Sequence, residues 1–308
     1  MRVLVTGGAG FIGSHVVDAL VDAGHEPRIF DVVSSPWHDS VDTVIGDLTD
    51  LDALAATAQD CDAIAHLAAI ADVNHVAADP AYAERVNAGG TANVLEAAKA
   101  ATVGRVVYAS TIWVYDNVEA DSVDEDTPLG LPHHPYTAHK IAGEMYCTSY
   151  AELYGVDYTI LRFGIPYGPR ARPAAVIPQF FKNARAGRPL TIAGGGTQSR
   201  RFTYVGDIAR GVVAALAAEA RNRVYNLSSD ETVTILELAT AVSQIVGDTD
   251  ILHTEGRAGD FRGVEISNAR IARELGWHAS TSLDEGLALY YDWLTADTSN
   301  EPDADPVV

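Results

Sequence analysis

The chain has almost no lysine: Lys99, Lys140 and Lys182 are three among 21 basic residues, set against 42 acidic ones. A formal charge of −21 excludes the cationic surface that nucleic acid or an anionic membrane would require, so neither is expected as a partner. Cysteine is equally scarce. Cys61 and Cys147 are too few for a disulfide framework and stand at no metal-ligand spacing, so no metal is expected and a reducing compartment is. No run of 18 apolar residues occurs, and Met1 leads straight into an apolar segment with no leader-like region; a cytoplasmic location without a membrane span is expected. The carboxylates are scattered, which makes them a solvated surface. Because an acid-rich surface repels itself at low ionic strength, adaptation to high salt is one reading; a GC-rich genome favouring arginine over lysine is the other.

Glycine, by contrast, is concentrated in TGGAGFIG, residues 6–13. Met1 to Val5 has the pattern of a buried strand, and Val16, Val17, Leu20 and Val21 fall at helical spacing after Gly13, so the glycines occupy a strand-to-helix turn. Gly8, Gly10 and Gly13 fit a dinucleotide-binding turn, and Gly7, Gly10 and Gly13 form an alternative triplet spacing. In such a turn a backbone without Cβ atoms lets a pyrophosphate approach a helix N-terminus. Asp31 ends the apolar run PRIFD, where a second parallel strand would offer a carboxylate to the adenosine ribose, and Val32 and Val33 supply no cation for a 2′-phosphate. NAD is therefore expected rather than NADP.

Beyond Asp31, strand-like and helix-like segments alternate through VDTVIGD, DLDALAATA, CDAIAHLAA, YAERVNAGGTANVLEAAKA and RVVYAST. That rhythm predicts an α/β fold with a doubly wound parallel sheet over residues 1–165. Residues 126–135 read as a proline-containing loop, a helix is expected from about 136 to 153, and VDYTILRF is a further strand. From Gly164 the rhythm loosens, with a glycine tip between two strand-like runs in LTIAGGGTQSRRFTYV. A smaller, interleaved C-terminal substrate lobe is expected over 166–296, with 199–230 returning to the first domain and 297–308 forming a disordered acidic tail.

In HHPYTAHKIAGE, Tyr136 and Lys140 stand four residues apart and share one helical face. An ammonium beside a phenol favours the phenolate, so the pair can act as a general base on an alcohol. Taken alone, the spacing also fits a solvated helix surface.

Together the glycine turn, Asp31, Asp47-Leu48, HLAA at His66 to Ala69, Asn87, Thr111 and the Tyr136/Lys140 pair resemble the extended short-chain dehydrogenase/reductase family, in its nucleotide-sugar epimerase/dehydratase branch. The likeness continues through LRFGIPYGPR, SRRFTYVGDIA, RAGDFRG and ARELGWHASTSLDEGL. It implies that Tyr136 is the base, that Lys140 holds the nicotinamide ribose and that Thr111, rather than Ser110, bonds the reacting hydroxyl. It further implies that Phe11 and Ile12 give backbone N–H groups to the pyrophosphate, that Asp47 and Leu48 border the adenine, and that Leu67, Ala68 and Ala69 line the cofactor. Asn87 either holds backbone near the cofactor or caps a helix, and His66 reads as a satisfied structural histidine. Arg200 and Arg257, with Arg262 assisting, match positions that bind a substrate diphosphate, although in so acidic a chain they could equally pair with carboxylates.

Three departures accompany the likeness. Ile165 replaces an asparagine, Ala193 replaces a base-stacking aromatic and Ala175 replaces a second asparagine, while Val264 leaves room where some relatives carry tyrosine. Ile112 and Trp113 occupy the Asp-Glu positions of the 4,6-dehydratases and can transfer no proton. The expected activity is thus an NAD-dependent nucleotide-sugar 4-epimerase, of the UDP-glucose/galactose or the UDP-uronic acid type, with a dehydrogenase of a sugar or sugar acid and a non-catalytic NAD sensor as alternatives. The resemblance also implies a homodimer, joined through helices at about 90–100 and 136–153.

Overall fold

The computed structural model describes residues 1–255 and 264–296. Arg257, Arg262 and the expected tail lie outside the described residues. Seven strands form one parallel sheet: β1 (Arg2–Thr6), β2 (Glu26–Asp31), β3 (Thr43–Ile45), β4 (Ala63–His66), β5 (Val106–Thr111), β6 (Tyr158–Phe163) and β7 (Arg223–Leu227), in the order β7-β6-β5-β4-β1-β2-β3. The direction of winding reverses between β1 and β4, which opens a crevice at their carboxyl ends. Val3 and Val5 bury on one face of β1 and Leu4 on the other, the two-sided burial expected of a parallel strand covered by helices on both faces.

Helix α1 (Phe11–Asp22) packs Val16, Val17 and Leu20 on one face of the sheet beside Ile208 and Val212 of α4 (Val205–Ala214). On the other face, α2 (Gly90–Ala100) and α3 (Pro135–Tyr154) bury Val94, Leu95 and Cys147 against Leu4, Tyr108 and Ile160. The limits of α3 follow from its sequence. Pro135 presets the first turn, His134 Nδ1 accepts the Tyr136 N–H at 3.0 Å, and Gly155 takes the left-handed conformation (φ 69°) that ends the helix.

The smaller lobe has its own core, with Phe180, Phe181, Leu190, Ile192, Leu238 and Leu287. The strand-like runs flanking the glycine tip do not pair with each other. Leu190–Ala193 runs parallel to Ile251–Thr254, Ser199–Arg200 pairs antiparallel with Val233–Thr234, and Phe202–Tyr204 lies parallel to Ile165–Tyr167. Residues 205–227 supply α4, packed on the large sheet, and β7, its edge strand, and Ile271 and Trp277 also enter the core there.

A candidate active site at the carboxyl ends of the strands

The turn after β1 is shaped by glycine. Gly7 adopts φ 75°, and a Cβ on it would lie 2.7 Å from the Ala68 nitrogen; a Cβ on Gly13 would collide with the Gly7 carbonyl oxygen. Gly10 precedes α1 with no side-chain cap, so the first amides of that helix face the turn unclaimed by one. A backbone cradle that only glycine can line, at a helix N-terminus, fits the pyrophosphate of a dinucleotide. Asp31 closes its far side: Oδ2 accepts the Ala9 N–H at 3.0 Å, and burial raises its pKa.

The remaining residues expected at the cofactor surround this cradle. Asp47 Oδ1 accepts from the Thr49 N–H and hydroxyl, at 2.8 and 2.7 Å, forming a tight turn, while Leu48 is buried where Gly90 leaves no side chain. Leu67, Ala68 and Ala69 continue from β4, the Leu67 N–H donating to the Thr6 carbonyl. Asn87 caps no helix. It lies in a π-helical turn, Arg85–Gly89, where Oδ1 accepts the Ile70 N–H at 2.7 Å and Nδ2 donates to the Ile70 carbonyl at 3.0 Å, clamping the chain beyond β4. His66 is satisfied on both ring nitrogens by Thr6 and Thr91, and burial lowers its pKa to about 3.

Tyr136 and Lys140 bracket the end of β5. Lys140 Nζ donates to the Ala109 carbonyl at 2.8 Å and lies 5.9 Å from the Tyr136 ring centroid. Burial lowers the Lys140 pKa to about 8 and pushes the Tyr136 phenol up to about 12. The strand's two-residue alternation separates the neighbouring hydroxyls. Ser110 turns inward and donates to Glu144 Oε1 at 2.5 Å, whereas Thr111 Oγ1 accepts the Trp113 N–H at 3.2 Å and caps the turn Ile112–Tyr115 at the cleft wall.

Behind this edge runs a buried polar chain absent from the sequence expectations. Arg162 donates to Glu144 through Nε (3.0 Å) and a terminal nitrogen (2.7 Å), and to the Tyr115 hydroxyl (2.7 Å), which in turn donates to Asn226 Oδ1 (2.8 Å). Glu144 stands four residues after Lys140, so the periodicity that joins Tyr136 to Lys140 extends to it. Two further arginines, Arg170 and Arg172, carry the turn after Gly168 across the crevice, pairing with Asp18 of α1 at 2.7 Å and with Asp72 beyond β4 at 2.9 Å.

A cleft of about 490 Å³ opens beside Tyr136 between the lobes. Ile112, Trp113, Ile165, Val264 and Arg200 line it, and the Trp113 ring meets Tyr136 edge-on at 6.1 Å. Ala193 ends the strand Leu190–Ala193, and Ala175 precedes the helix Val176–Arg185 without a side-chain capping bond. Among the described residues no cluster of histidine, cysteine and carboxylate could hold a metal, and no helix is long and apolar enough to cross a membrane.

Sequence and structure comparisons agree with this geometry. The NAD dependent epimerase/dehydratase family matches residues 3–228. A UDP-glucose 4-epimerase of Mycolicibacterium smegmatis is 34% identical over 304 residues, covering 94% of this chain and 96% of the relative. The UDP-glucose 4-epimerase of Thermotoga maritima, solved with UDP-glucose, superposes with a TM-score of 0.90 at 30% identity, covering 96% of this chain and 99% of that one. A dTDP-glucose 4,6-dehydratase of Streptomyces venezuelae, solved with NAD, gives 0.88 at 31% identity, covering 97% and 98%. With its glycine cradle, its Asp31 and its Tyr136/Lys140 helix, this chain belongs to the NAD dependent epimerase/dehydratase family, in the extended branch of the short-chain dehydrogenases/reductases.

Proposed function

We propose that the protein is a nucleotide-sugar 4-epimerase. The Gly7, Gly10 and Gly13 cradle, the Phe11 and Ile12 amides and Asp31, with Asp47, Leu48, Leu67, Ala68, Ala69 and Asn87 around them, would hold NAD, which would supply a reversible acceptor for the C4 hydride. Tyr136 takes the proton of the C4 hydroxyl, directly or through Thr111, and gives it back. Lys140, 5.9 Å from the Tyr136 ring centroid, holds the ribose beside it, while the charge that lowers the Tyr136 pKa against burial is that of Arg172. Arg200, together with Arg257 and Arg262, grips the diphosphate so that the 4-keto sugar stays bound while it turns its other face.

The observation that carries this reading over dehydration is the pair Ile112 and Trp113 in the cleft wall next to Tyr136. Elimination of water needs an acid and a base there, and neither side chain can move a proton. A net sugar dehydrogenase is the second reading. It is favoured by Ile165, a cleft residue that offers the nucleotide sugar no amide. The exposed Met145 and Leu153 of α3 support pairing with a second copy.

Proton NMR of anomeric signals, with UDP-sugars and substoichiometric NAD, separates the two readings. Conversion to the C4 epimer beyond the NAD supplied is the expected result, and turnover that stops when NAD is consumed would replace it with the dehydrogenase. Tyr136→Phe should abolish conversion while NAD still binds.

A further inference from the structure

We propose that His134 is a further substrate-binding residue, which caps the helix carrying Tyr136 through one ring nitrogen and offers the other, as an N–H donor, to a hydroxyl of the sugar in the cleft. The inference rests on the nucleotide-sugar reading of the site and adds to it a contact made beside the base.

The tautomer of His134 follows from the cap. The Tyr136 backbone N–H can only donate, and it donates to His134 Nδ1 at 3.0 Å, so Nδ1 carries a lone pair and no proton. A neutral imidazole in that state holds its proton on Nε2, which donates and does not accept. Nε2 lies on the far side of the ring from the Tyr136 amide. The residue itself is half-buried and forms part of the cleft wall, as does Thr137 one turn along α3.

The donor is held in place from two directions. Pro135 confines the residue before it to extended backbone, and His134 is found there, at φ −124° and ψ 138°. The cap bond then fixes the ring. A donor whose orientation is set before the ligand arrives loses little freedom on binding.

Capping alone does not call for histidine. Short oxygen-bearing side chains accept a first-turn amide well, and Asp50, Asp72, Asp79 and Thr234 do so at other helices of this chain. What the imidazole adds is a second polar atom, beyond the reach of those side chains, two residues before the proposed base. A sugar hydroxyl, with two lone pairs, can accept from it while giving its own proton elsewhere.

Two substitutions divide the roles, because an asparagine amide reaches to where Nδ1 stands and a glutamine amide to where Nε2 stands. His134→Asn keeps an acceptor for the Tyr136 amide and loses the donor, whereas His134→Gln keeps a donor and loses the cap. UDP-glucose, UDP-N-acetylglucosamine and UDP-glucuronic acid are titrated calorimetrically into the NAD-loaded wild type, and the tightest binder is carried into both variants. His134→Asn should hold the wild-type thermal midpoint within about 1 °C and bind that sugar about 5- to 10-fold more weakly. His134→Gln should recover the affinity to within about threefold while its thermal midpoint falls by about 2–4 °C. Affinity in His134→Asn within about twofold of the wild type overturns the proposal and leaves His134 a cap alone, with the nucleotide-sugar reading intact. Equal loss of affinity in the two variants overturns it as well, since the sugar would then be sensing the helix end rather than the donor. Binding of none of the three sugars by the wild type overturns the nucleotide-sugar reading and this inference with it.

Discussion

Glu144→Ala should be among the most damaging single substitutions outside the residues proposed to contact substrate. Glu144 and Arg162 are each buried, with side chains 8% and 5% exposed, and they share two hydrogen bonds. Removing the carboxylate leaves the guanidinium with the Tyr115 hydroxyl as its remaining neutral partner, and it strips the acceptor from Ser110. Breaking such a pair from one side costs about 3–5 kcal/mol, a large share of the ~5–15 kcal/mol that holds a typical domain together. At roughly 2–4 °C per kcal/mol for a chain of this kind, the thermal midpoint should fall by about 6–20 °C, measurable by scanning calorimetry of the NAD-loaded protein. The double variant Glu144→Leu/Arg162→Met should recover most of that loss, because an apolar pair leaves no charge stranded. A single-variant loss below about 1 kcal/mol would refute the reasoning, since it would mean that Arg162 finds solvation elsewhere.

Four other outcomes are expected. Lys140 has a folded pKa of about 8, below the usual lysine value, so the unfolded chain binds more protons between about pH 8 and 10.4 and this residue's contribution to stability rises with pH across that window. Chemical denaturation of the wild type against Lys140→Met should show the wild type gaining there; a flat difference would contradict the burial of the ammonium. Gly13→Ala places a methyl group into the Gly7 carbonyl oxygen and should abolish NAD binding by fluorescence titration, whereas Gly195→Ala, whose Cβ would meet only the Thr197 methyl group at 3.7 Å, should leave it intact. Arg170→Ala/Arg172→Ala removes two partly exposed ion pairs worth up to about 1 kcal/mol each, so NAD should dissociate up to about 30-fold faster in stopped-flow exchange. Molar KCl should raise the thermal midpoint by screening the charge of −21, and indifference to salt would count against a high-salt habitat.

The features legible in the sequence were those written in short-range spacing. Gly7 to Gly13, Asp31 at the end of a strand and Tyr136 four residues before Lys140 each lie within one turn or one strand–helix step, so periodicity alone places them. The choice of Thr111 over Ser110 comes from the family likeness alone; the β5 pleat separates the two hydroxyls, Ser110 donating to Glu144 and Thr111 accepting the Trp113 N–H. The Glu144–Arg162 pair and the Arg170 and Arg172 contacts were illegible because their partners lie 18, 152 and 100 residues apart and meet only after the sheet has closed. The two-residue strands Ser199–Arg200 and Val233–Thr234 carry too few residues for any pattern, which is why the glycine tip between two apolar runs gave no hint of their separate partners.

The π-helical turn at Arg85–Gly89 stores information that no side chain carries. A π turn holds one residue more than the α-helical turn it replaces, so the segment Pro80–Glu84 and helix α2 are out of phase with each other by about 100°. Deleting a single residue here would restore an unbroken helix, a locally more regular structure. It would also rotate the upstream segment about its axis and pull Asn87 from the Ile70 backbone that it grips with two hydrogen bonds. In this stretch it is the count of residues, more than their identity, that sets where the edge of the crevice lies.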